Sequence, residues 1–216
     1  MKIAIIGAGS VGGSLARGWV KKGHPIVFGA RDPKSPKITA ALSEVAGARA
    51  ATIAEAVAGA EVVVLATPWE GTTALVAALD LGNRVVIDAT NPIGPNLSGL
   101  TVGGNTSGGE EVAKVAKSGR VVKCFNTTGA NNYLNPNYPG GAATMLYCGD
   151  DAEAKGIVRR LGEELGFAMV DAGPLARARL LEPVALLWIS LAYPQGMGRE
   201  IAWRLERRQG AGQAQG

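Results

Sequence analysis

Apolar residues in this chain fall into short continuous runs that alternate with segments in which they recur every three or four residues. Continuous runs rich in β-branched residues are typical of buried strands, and the longer period is typical of amphipathic helices. The predicted strands are 2–6, 24–28, the first part of 48–58, 61–66, 84–88, 120–125, 143–148 and 167–171. The predicted helices are 11–22, 33–46, the rest of 48–58, a segment after 67, 108–117 and 152–165. This alternation predicts an α/β fold with a Rossmann-type doubly wound, mainly parallel sheet.

The alternation stops near Pro174, and we divide the chain there. We predict a Rossmann-like domain over 1–173, a small C-terminal helical segment over 174–208 and a disordered tail over 209–216, because the tail is rich in Gly and Gln. The helical segment should pack on the domain, on a second subunit or on both, since its apolar face is too wide to stand in water. That face consists of Leu175, Leu180, Leu181, Val184, Leu187, Trp188 and Leu191.

The first predicted strand leads into a glycine pattern with the spacing G-x-G-x-x-G. The pattern reads Gly7-Ala8-Gly9-Ser10-Val11-Gly12. In a strand–turn–helix unit, Gly7 permits the tight turn, Gly9 lets the backbone approach a pyrophosphate, and Gly12 lets the helix pack on the strand. The N–H groups that begin the helix then face the phosphates. This context favours dinucleotide binding, and an ordinary βα turn is the alternative.

The end of the second predicted strand bears on which dinucleotide binds. Enzymes that prefer NAD usually carry an acidic residue there, whereas an Arg suits the 2′-phosphate of NADP. This chain has Ala30 and Arg31 at that point, with Lys34 and Lys37 a few residues on. We therefore predict an NADP(H) site in the 1–173 domain. The alternative is an ordinary solvated basic loop that Asp32 partly neutralises.

Composition narrows the class of protein. The chain has 216 residues, 47% of them hydrophobic and 19% charged, with a formal net charge of +4, which is typical of a globular protein. Its basic residues are scattered without interleaved aromatics, so nucleic acid is not an expected partner. Residues 2–6 fit a buried strand better than a signal peptide, and the apolar stretch 183–193 is too short to span a bilayer. We expect a cytoplasmic protein that does not bind membranes.

Polar loops follow three of the predicted strands. Thr67-Pro68-Trp69-Glu70 has the spacing of a capping box, Asn91-Pro92 begins a long loop that continues to about Thr106, and Asn126 begins the third loop. The carboxyl ends of parallel strands meet at one edge of a sheet, where ligands bind. Trp69 could form a wall of a nicotinamide pocket or simply pack against its neighbours.

The chain offers few residues for acid–base or nucleophilic chemistry. Its single histidine, His24, lies in the turn before the second strand, away from the expected cofactor. Asp88 and Asp171 end strands and could be polar site residues, although capping or loop hydrogen bonding is favoured for both, while Cys124 and Cys148 fit small core residues. The sequence shows no metal-ligand cluster and no Tyr-x-x-x-Lys pair, so we predict no metal and no catalytic side chain. This suits a reaction in which the cofactors carry the chemistry and the protein orients them.

Several stretches together resemble the F420-dependent NADP oxidoreductases. They are the opening fingerprint with Gly29-Ala30-Arg31, then 67–70, 121–127, and the run Asp171-Ala172-Gly173-Pro174-Leu175 continuing through 178–183. The resemblance implies an enzyme, usually a homodimer, that reversibly transfers a hydride between NADP(H) and the deazaflavin coenzyme F420. F420, or a flavin-like small molecule, would then be the co-substrate.

The resemblance also assigns residues to the site. Ala8, Gly9, Ser10 and Val11 would hold the pyrophosphate, and Ala30 and Arg31 the 2′-phosphate. The nicotinamide would be flanked by Thr67, Pro68 and Trp69 and by the 126–130 loop, which includes Asn126, Thr127 and Ala130. Family members often have a hydroxyl residue where this chain has Ala30, which removes one hydrogen bond to the phosphate. We expect Asn91, the loop that follows it and a helix break at 194–198 to form the acceptor side. The alternative is an ordinary surface loop and a proline kink.

Two other functions stay open from the sequence. One is an NADPH-dependent reductase of a small imine or carbonyl compound, which would need a proton donor that the chain does not obviously supply. The other is a non-catalytic protein that binds or senses NADP and docks a partner through its C-terminal helix.

Overall fold

The computed structural model describes residues 1–117 and 120–208. The tail predicted at 209–216 lies outside the described residues. The strands are β1 (Ile3–Ile6), β2 (Ile26–Ala30), β3 (Arg49–Thr52), β4 (Val62–Leu65), β5 (Val85–Asp88), β6 (Val121–Lys123), β7 (Asn137–Tyr138), β8 (Gly141–Ala142), β9 (Thr144–Gly149) and β10 (Ala168–Asp171). The helices are α1 (Ser10–Val20), α2 (Pro36–Glu44), α3 (Ile53–Ala58), α4 (Thr72–Ala77), α5 (Gly108–Ala116), α6 (Ala152–Glu164) and α7 (Ala178–Ala192).

The central sheet of the described chain has the strand order β10-β9-β6-β5-β4-β1-β2-β3. Neighbouring strands from β3 to β6 are parallel, with Ile3 of β1 opposite Ile26 on one side and Val62 on the other. The order reverses at β1, so the carboxyl ends of β1 and β4 lie at a topological switch point, where doubly wound sheets bind ligands. The predicted Rossmann-type, mainly parallel α/β fold is confirmed.

The sheet becomes antiparallel at one place that the sequence pattern did not reveal. β9 pairs antiparallel with β6, with Lys123 opposite Cys148, and β10 then pairs parallel with β9. The segment between β6 and β9 contains the small β7–β8 hairpin and no α-helix. A parallel neighbour needs a crossover connection, usually an α-helix that returns the chain to the starting edge of the sheet, and without such a helix in this segment β9 runs in the opposite direction.

Two helix starts differ from their predictions. The prediction of a capping box at Thr67 is wrong, because α4 begins only at Thr72, after Gly71 with φ +81°. The Thr67 hydroxyl instead lies 2.8 Å from the Thr72 hydroxyl, which donates to the Pro68 carbonyl at 2.8 Å. The helix predicted over 33–46 also begins late, because its prolines delay the start of α2 to Pro36.

Side chains cap helices α5 and α6. Ser107 accepts a hydrogen bond from Glu110 N at the start of α5, and Asp151 accepts one from Ala154 N at the start of α6. In each case the side chain satisfies an N–H group that the helix itself leaves without a partner.

Apolar side chains fill both faces of the sheet. On one face Trp19 of α1 packs edge-to-face on Phe125 and donates its indole N–H to the Leu161 carbonyl at 3.0 Å. On the other face the strands pack against α3, α4, α5 and α7, with Val112 and Leu181 buried there. Alternate residues of β1 face the two layers, as expected for a strand covered on both sides.

The C-terminal helix α7 divides the predicted apolar face in two. Leu181, Ala185 and Trp188 are buried against the domain, whereas Leu180 and Leu187 are 58% and 51% exposed. The helix ends at Ala192, so the predicted break at 194–198 is the helix end, and no helix follows it as far as residue 208. Within the described residues, no helix is long and apolar enough to cross a membrane. The division of the chain at Pro174 stays a prediction.

Candidate active site

Two glycines of the turn after β1 are required by close packing. Gly7 has φ +109°, and a Cβ on it would overlap the Ala66 carbonyl oxygen. A Cβ on Gly12 would overlap the Gly7 carbonyl oxygen and touch the Ile5 side chain at 3.0 Å. Gly7 therefore makes the turn, and Gly12 brings the start of α1 against β1.

The third glycine, Gly9, has no such internal reason. A Cβ built there meets nothing within 4 Å, so the backbone at Gly9 faces open space. Gly9 also precedes Ser10, the first residue of α1, and gives the helix no side-chain cap. The first N–H groups of an 11-residue helix therefore point toward this opening, as a phosphate group requires.

A cavity of about 560 Å³ lies at the carboxyl ends of β1, β2 and β4, and we call it the strand-side cavity. Its lining includes Gly7, Ala8, Ala30, Arg31, Lys37, Thr67 and Pro68. Lys34 does not line it, and Lys34 N instead donates to Asp32 Oδ1 at 2.9 Å. The structure therefore places Lys37, rather than Lys34, in the same cavity as Arg31.

The electrostatics of the strand-side cavity favour an anion. Neither Arg31 nor Lys37 forms an ion pair with any carboxylate in the described part of the chain. Two carboxylates, Asp32 and Glu70, also line the cavity, and the Asp32 side chain turns to the Lys34 N–H. An Arg and a Lys without carboxylate partners can bind a phosphate through charge-assisted hydrogen bonds.

A second cavity of about 500 Å³ lies on the other side of the glycine turn, and we call it the helix-side cavity. It shares Ala8 and Lys37 with the strand-side cavity, so the two adjoin. Its lining also includes Gly9, Ser10, Arg17, Ala130, Asn131 and Arg199. A long ligand could therefore lie across the turn with one part in each cavity.

The loops after β5 and β6 are joined by a reciprocal pair of asparagines. Asn91 Nδ2 donates to the Asn126 carbonyl at 3.2 Å, and Asn126 Nδ2 donates to Asn91 Oδ1 at 3.0 Å. Thr127 is fully buried and its hydroxyl faces Met145 Sδ, so its side chain points into the core. Within the described residues, Asn91, Asn126 and Thr127 line neither the strand-side cavity nor the helix-side cavity.

Trp69 occupies a different position from Thr67 and Pro68. A Cβ on Gly108 would lie 3.2 Å from the Trp69 ring and 3.3 Å from Pro92, so the ring packs over the start of α5. Trp69 also lines an open groove of about 590 Å³ beneath the long loop, together with Thr101 and Thr106. Val11 and Gly12 lie within the first turn of α1 and line neither cavity.

Three charged side chains are buried together behind these loops. Lys123 Nζ lies 2.9 Å from Asp88 Oδ2 and 2.8 Å from Glu182 Oε1, and all three side chains are at most 1% exposed. The ammonium also donates to the Thr90 carbonyl at 2.7 Å. We call Lys123, Asp88 and Glu182 the buried ion cluster. Its ammonium has a partner for each of its three hydrogens, which indicates a structural cation.

Burial and charge act in opposite directions on Lys123. Burial alone would lower the pKa of Lys123, but the Asp88 and Glu182 carboxylates outweigh it and hold the pKa above its ordinary value. Glu182 also accepts hydrogen bonds from Gly108 N at 2.9 Å and Gly109 N at 3.0 Å, and so binds the start of α5. The cluster therefore connects β5, β6, α5 and α7.

Sequence reasoning missed this cluster, although a signal was present. Lys123 interrupts the apolar run of β6, and Glu182 lies between Leu181 and other apolar residues of α7. Charged residues in such runs are almost never fully buried unless they are paired. Searching for their partners would have pointed to Asp88, which ends the neighbouring strand.

The remaining candidate acids, bases and thiols lie away from the cavities. His24 Nε2 is 2.7 Å from Glu164, near the chain start, and Asp171 pairs with Lys155 at 2.9 Å. Burial raises the pKa of the Cys124 thiol well above its usual range and that of Cys148 to about 12. These cysteines are therefore thiols at neutral pH and behave as core residues.

Comparisons with known proteins agree with this geometry. The family model described as NADP oxidoreductase coenzyme F420-dependent matches residues 2–92. A crystal structure of a candidate F420-dependent NADP-reductase from Arthrobacter sp. FB24 is 30% identical, with a TM-score of 0.87 over 96% of this chain and 100% of that chain.

Two further similarities are more limited. Metalloreductase STEAP3 from Rattus norvegicus is 32% identical over 187 residues, which is 86% of this chain and 36% of that protein. The chain therefore spans about a third of the length of this curated relative. A reductive aminase from Aspergillus terreus, in complex with NADPH and ethyl-5-oxohexanoate, is 21% identical with a TM-score of 0.67 over 90% of this chain and 63% of that chain. It shows a shared fold.

The buried ion cluster predicts a large effect of removing its cation. Lys123→Met leaves Asp88 and Glu182 buried without their counter-ion and should lower the free energy of unfolding by about 3–5 kcal/mol. Arg179→Gln is the matched control, because it breaks the exposed Arg179–Glu110 pair and should change the free energy of unfolding far less. Urea unfolding followed by circular dichroism measures both variants.

The pH dependence gives a second readout for the same variant. Because folding raises the pKa of Lys123, its contribution is complete below the unfolded-state pKa of about 10.4 and is lost as pH rises through the folded-state pKa. The difference between wild type and Lys123→Met should therefore narrow at strongly alkaline pH. A Lys123→Met protein as stable as Arg179→Gln at neutral pH would contradict the structural role.

Proposed function

Because the chain belongs to the F420-dependent NADP oxidoreductase family and is an NADP-dependent oxidoreductase, we propose that it transfers a hydride between NADP(H) and coenzyme F420 or a flavin-like acceptor. The observation that carries the proposal is the strand-side cavity at the switch point of the sheet, where Arg31 and Lys37 have no carboxylate partner among the described residues. A site with this charge suits the 2′-phosphate that distinguishes NADP from NAD.

The residues at the glycine turn fit a dinucleotide. Ala8, Gly9, Ser10 and Val11 would hold the pyrophosphate, since the open space at Gly9 and the uncapped start of α1 meet there. Ala30 and Arg31 would hold the 2′-phosphate with Lys37, which lines the cavity as Lys34 does not. The adenosine end would then lie in the strand-side cavity.

The nicotinamide end would lie near the loops after β4 and β6. When bound, NADPH supplies the hydride, and the protein orients the ring and excludes water from it. Thr67 and Pro68 would flank the ring, with Asn126, Thr127 and Ala130 contributing mainly through their loop, because Asn126 and Thr127 are buried. The Asn91–Asn126 pair would hold that loop in place.

The lining of both cavities suits a reaction without a histidine, tyrosine or cysteine as the proton donor. Among the described residues, no histidine, tyrosine or cysteine lines either cavity. Direct hydride transfer between two conjugated rings needs close positioning, and the proton that completes the reduction of the acceptor ring can come from water. An imine or carbonyl acceptor would need a proton donor, which makes that alternative the less favoured.

We place the acceptor on the side of the long loop, where Trp69 and Thr101 line the open groove. An aromatic face beside a groove could support a flat ring. Since the chain is an oxidoreductase, the alternative of a non-catalytic NADP sensor is set aside. The expected cytoplasmic location stays a prediction.

The proposed reaction is tested by mixing the protein with NADPH and oxidised F420 and following the visible absorbance of the deazaflavin. We expect the absorbance to fall with NADPH and to fall much more slowly with an equal concentration of NADH. Normal NADPH binding without any loss of deazaflavin absorbance would contradict F420 as the acceptor. NADPH oxidation by a cyclic imine in the same protein would then support the imine reductase alternative.

Cofactor selectivity gives a prediction for the two basic residues. Arg31→Ala and Lys37→Ala should each weaken NADPH binding by about tenfold or more, because each removes a charged hydrogen bond worth about 1.5–3 kcal/mol. With Arg31→Ala, NADH binding should change by less than about twofold, since NADH lacks the 2′-phosphate. Lys34→Ala is the matched control and should leave both dissociation constants near wild type. Equal weakening of NADPH and NADH by Arg31→Ala would show that Arg31 does not bind the 2′-phosphate.

We also propose that the chain forms a homodimer through the outer face of α7. Leu180 and Leu187 lie two turns apart on one side of the helix and are 58% and 51% exposed. The double variant Leu180→Lys/Leu187→Lys should convert a dimer to a monomer in analytical ultracentrifugation. Leu205→Lys, at a similarly exposed leucine outside α7, is the control and should stay dimeric. A monomeric wild type, or a dimeric double variant, would contradict this interface.

A further inference from the structure

After α7 the chain folds back over the domain as a segment without helix or strand, which we call the C-terminal strap (residues 199–205). Its backbone is fixed by several hydrogen bonds. Its carbonyl groups accept from Asn131 Nδ2 at Arg199 (2.9 Å), from Asn132 Nδ2 and Trp188 Nε1 at Ile201 (2.9 and 2.8 Å), and from Thr144 N at Trp203 (2.8 Å). The position of the strap is therefore set by backbone contacts.

These contacts bring Arg199 to the helix-side cavity. Arg199 lines that cavity together with Gly9, Ser10 and Lys37, although it is distant from all of them in the sequence. Its carbonyl oxygen is held by Asn131, whereas its guanidinium forms no ion pair within the described residues. The strap thus presents a cation to the cavity without a carboxylate to neutralise it.

The other charges around the cavity leave a positive excess. Arg17 is already paired with Glu44, and both line the cavity, so their charges balance. Glu200, the next residue of the strap, accepts from Asn131 Nδ2 at 2.9 Å and lines a different, apolar pocket. Lys37 and Arg199 therefore contribute two positive charges that are not matched within the lining.

We infer that Arg199 and Lys37 form a phosphate-binding subsite in the helix-side cavity, which the C-terminal strap completes. Two unpaired cations from separate segments, beside the open backbone at Gly9, suit a phosphate ester or a pyrophosphate better than a neutral group. The phosphate could belong to the dinucleotide or to the side chain of the acceptor. The choice between these two sources rests on the proposed function, but the subsite does not.

Inorganic pyrophosphate is the direct probe of this subsite. The titration uses the full chain carrying Arg31→Ala, so that the proposed 2′-phosphate position does not compete for the probe. Adding Arg199→Gln to this background should raise the dissociation constant of pyrophosphate by about tenfold. Arg207→Gln removes the same charge beyond the strap and should change it by less than about twofold.

Arg199→Gln should fold normally, because the strap is held through the Arg199 backbone, and an unchanged thermal midpoint verifies this. Pyrophosphate binding that is undetectable in the background protein, or equally strong with Arg199→Gln, would overturn the subsite. Both results hold whether or not the protein reduces F420, so a failure of the subsite differs from a failure of the proposed function.

Two further measurements on Arg199→Gln, with Arg31 intact, identify the source of the phosphate. If it is the pyrophosphate of the dinucleotide, NADPH and NADH should both weaken by about tenfold. If it belongs to the acceptor, both nucleotides should bind normally, and the KM for F420 should rise. The KM for the deazaflavin core that lacks the phosphate should then stay unchanged.

Discussion

The buried ion cluster of Lys123, Asp88 and Glu182 is the interaction on which the arrangement of this protein depends. A buried charge must be paired and hydrogen-bonded. Here the Lys123 ammonium pairs with both carboxylates and donates its remaining hydrogen bond to a backbone carbonyl. Glu182 connects the cluster to two helices, because it lies in α7 and accepts hydrogen bonds from the first N–H groups of α5. The position of α7 relative to the sheet is therefore specified by charge as well as by apolar packing.

The placement of α7 has consequences for the proposed site. Trp188, at its buried face, donates to Ile201 of the C-terminal strap, and the strap in turn presents Arg199 to the helix-side cavity. The glycine turn, by contrast, depends on backbone packing at Gly7 and Gly12. Phosphate groups would then be bound by charged side chains from the loop after β2, the start of α2 and the C-terminal strap. The loops after β4 and β6 would orient the reacting ring. That division suits an oxidoreductase in which the cofactors supply the chemistry.

Structural features that depend on the local sequence pattern were predicted correctly. Features that depend on contacts between distant residues were missed. The alternating periods predicted a mainly parallel sheet, and the glycine spacing identified the turn after β1. The antiparallel β9 and the buried ion cluster depend on contacts between residues far apart in the chain, for which a single sequence gives no register. The start of α4 was also mispredicted, because α4 begins after Gly71, whose positive φ places the helix start beyond Thr67. Lys34 lies in the loop before α2 and Lys37 in the first turn of α2, and only the structure shows that Lys37 alone lines the strand-side cavity.

We propose that the protein brings NADPH and a deazaflavin together for direct hydride transfer, with no side chain that carries the proton. The most direct measurement follows deuterium from NADPH labelled at C4 of the nicotinamide, with oxidised F420 as the acceptor in ordinary water. If the transfer is direct, the label on the transferred face appears in reduced F420 without loss to solvent. Reduced F420 that contains only solvent hydrogen would contradict it.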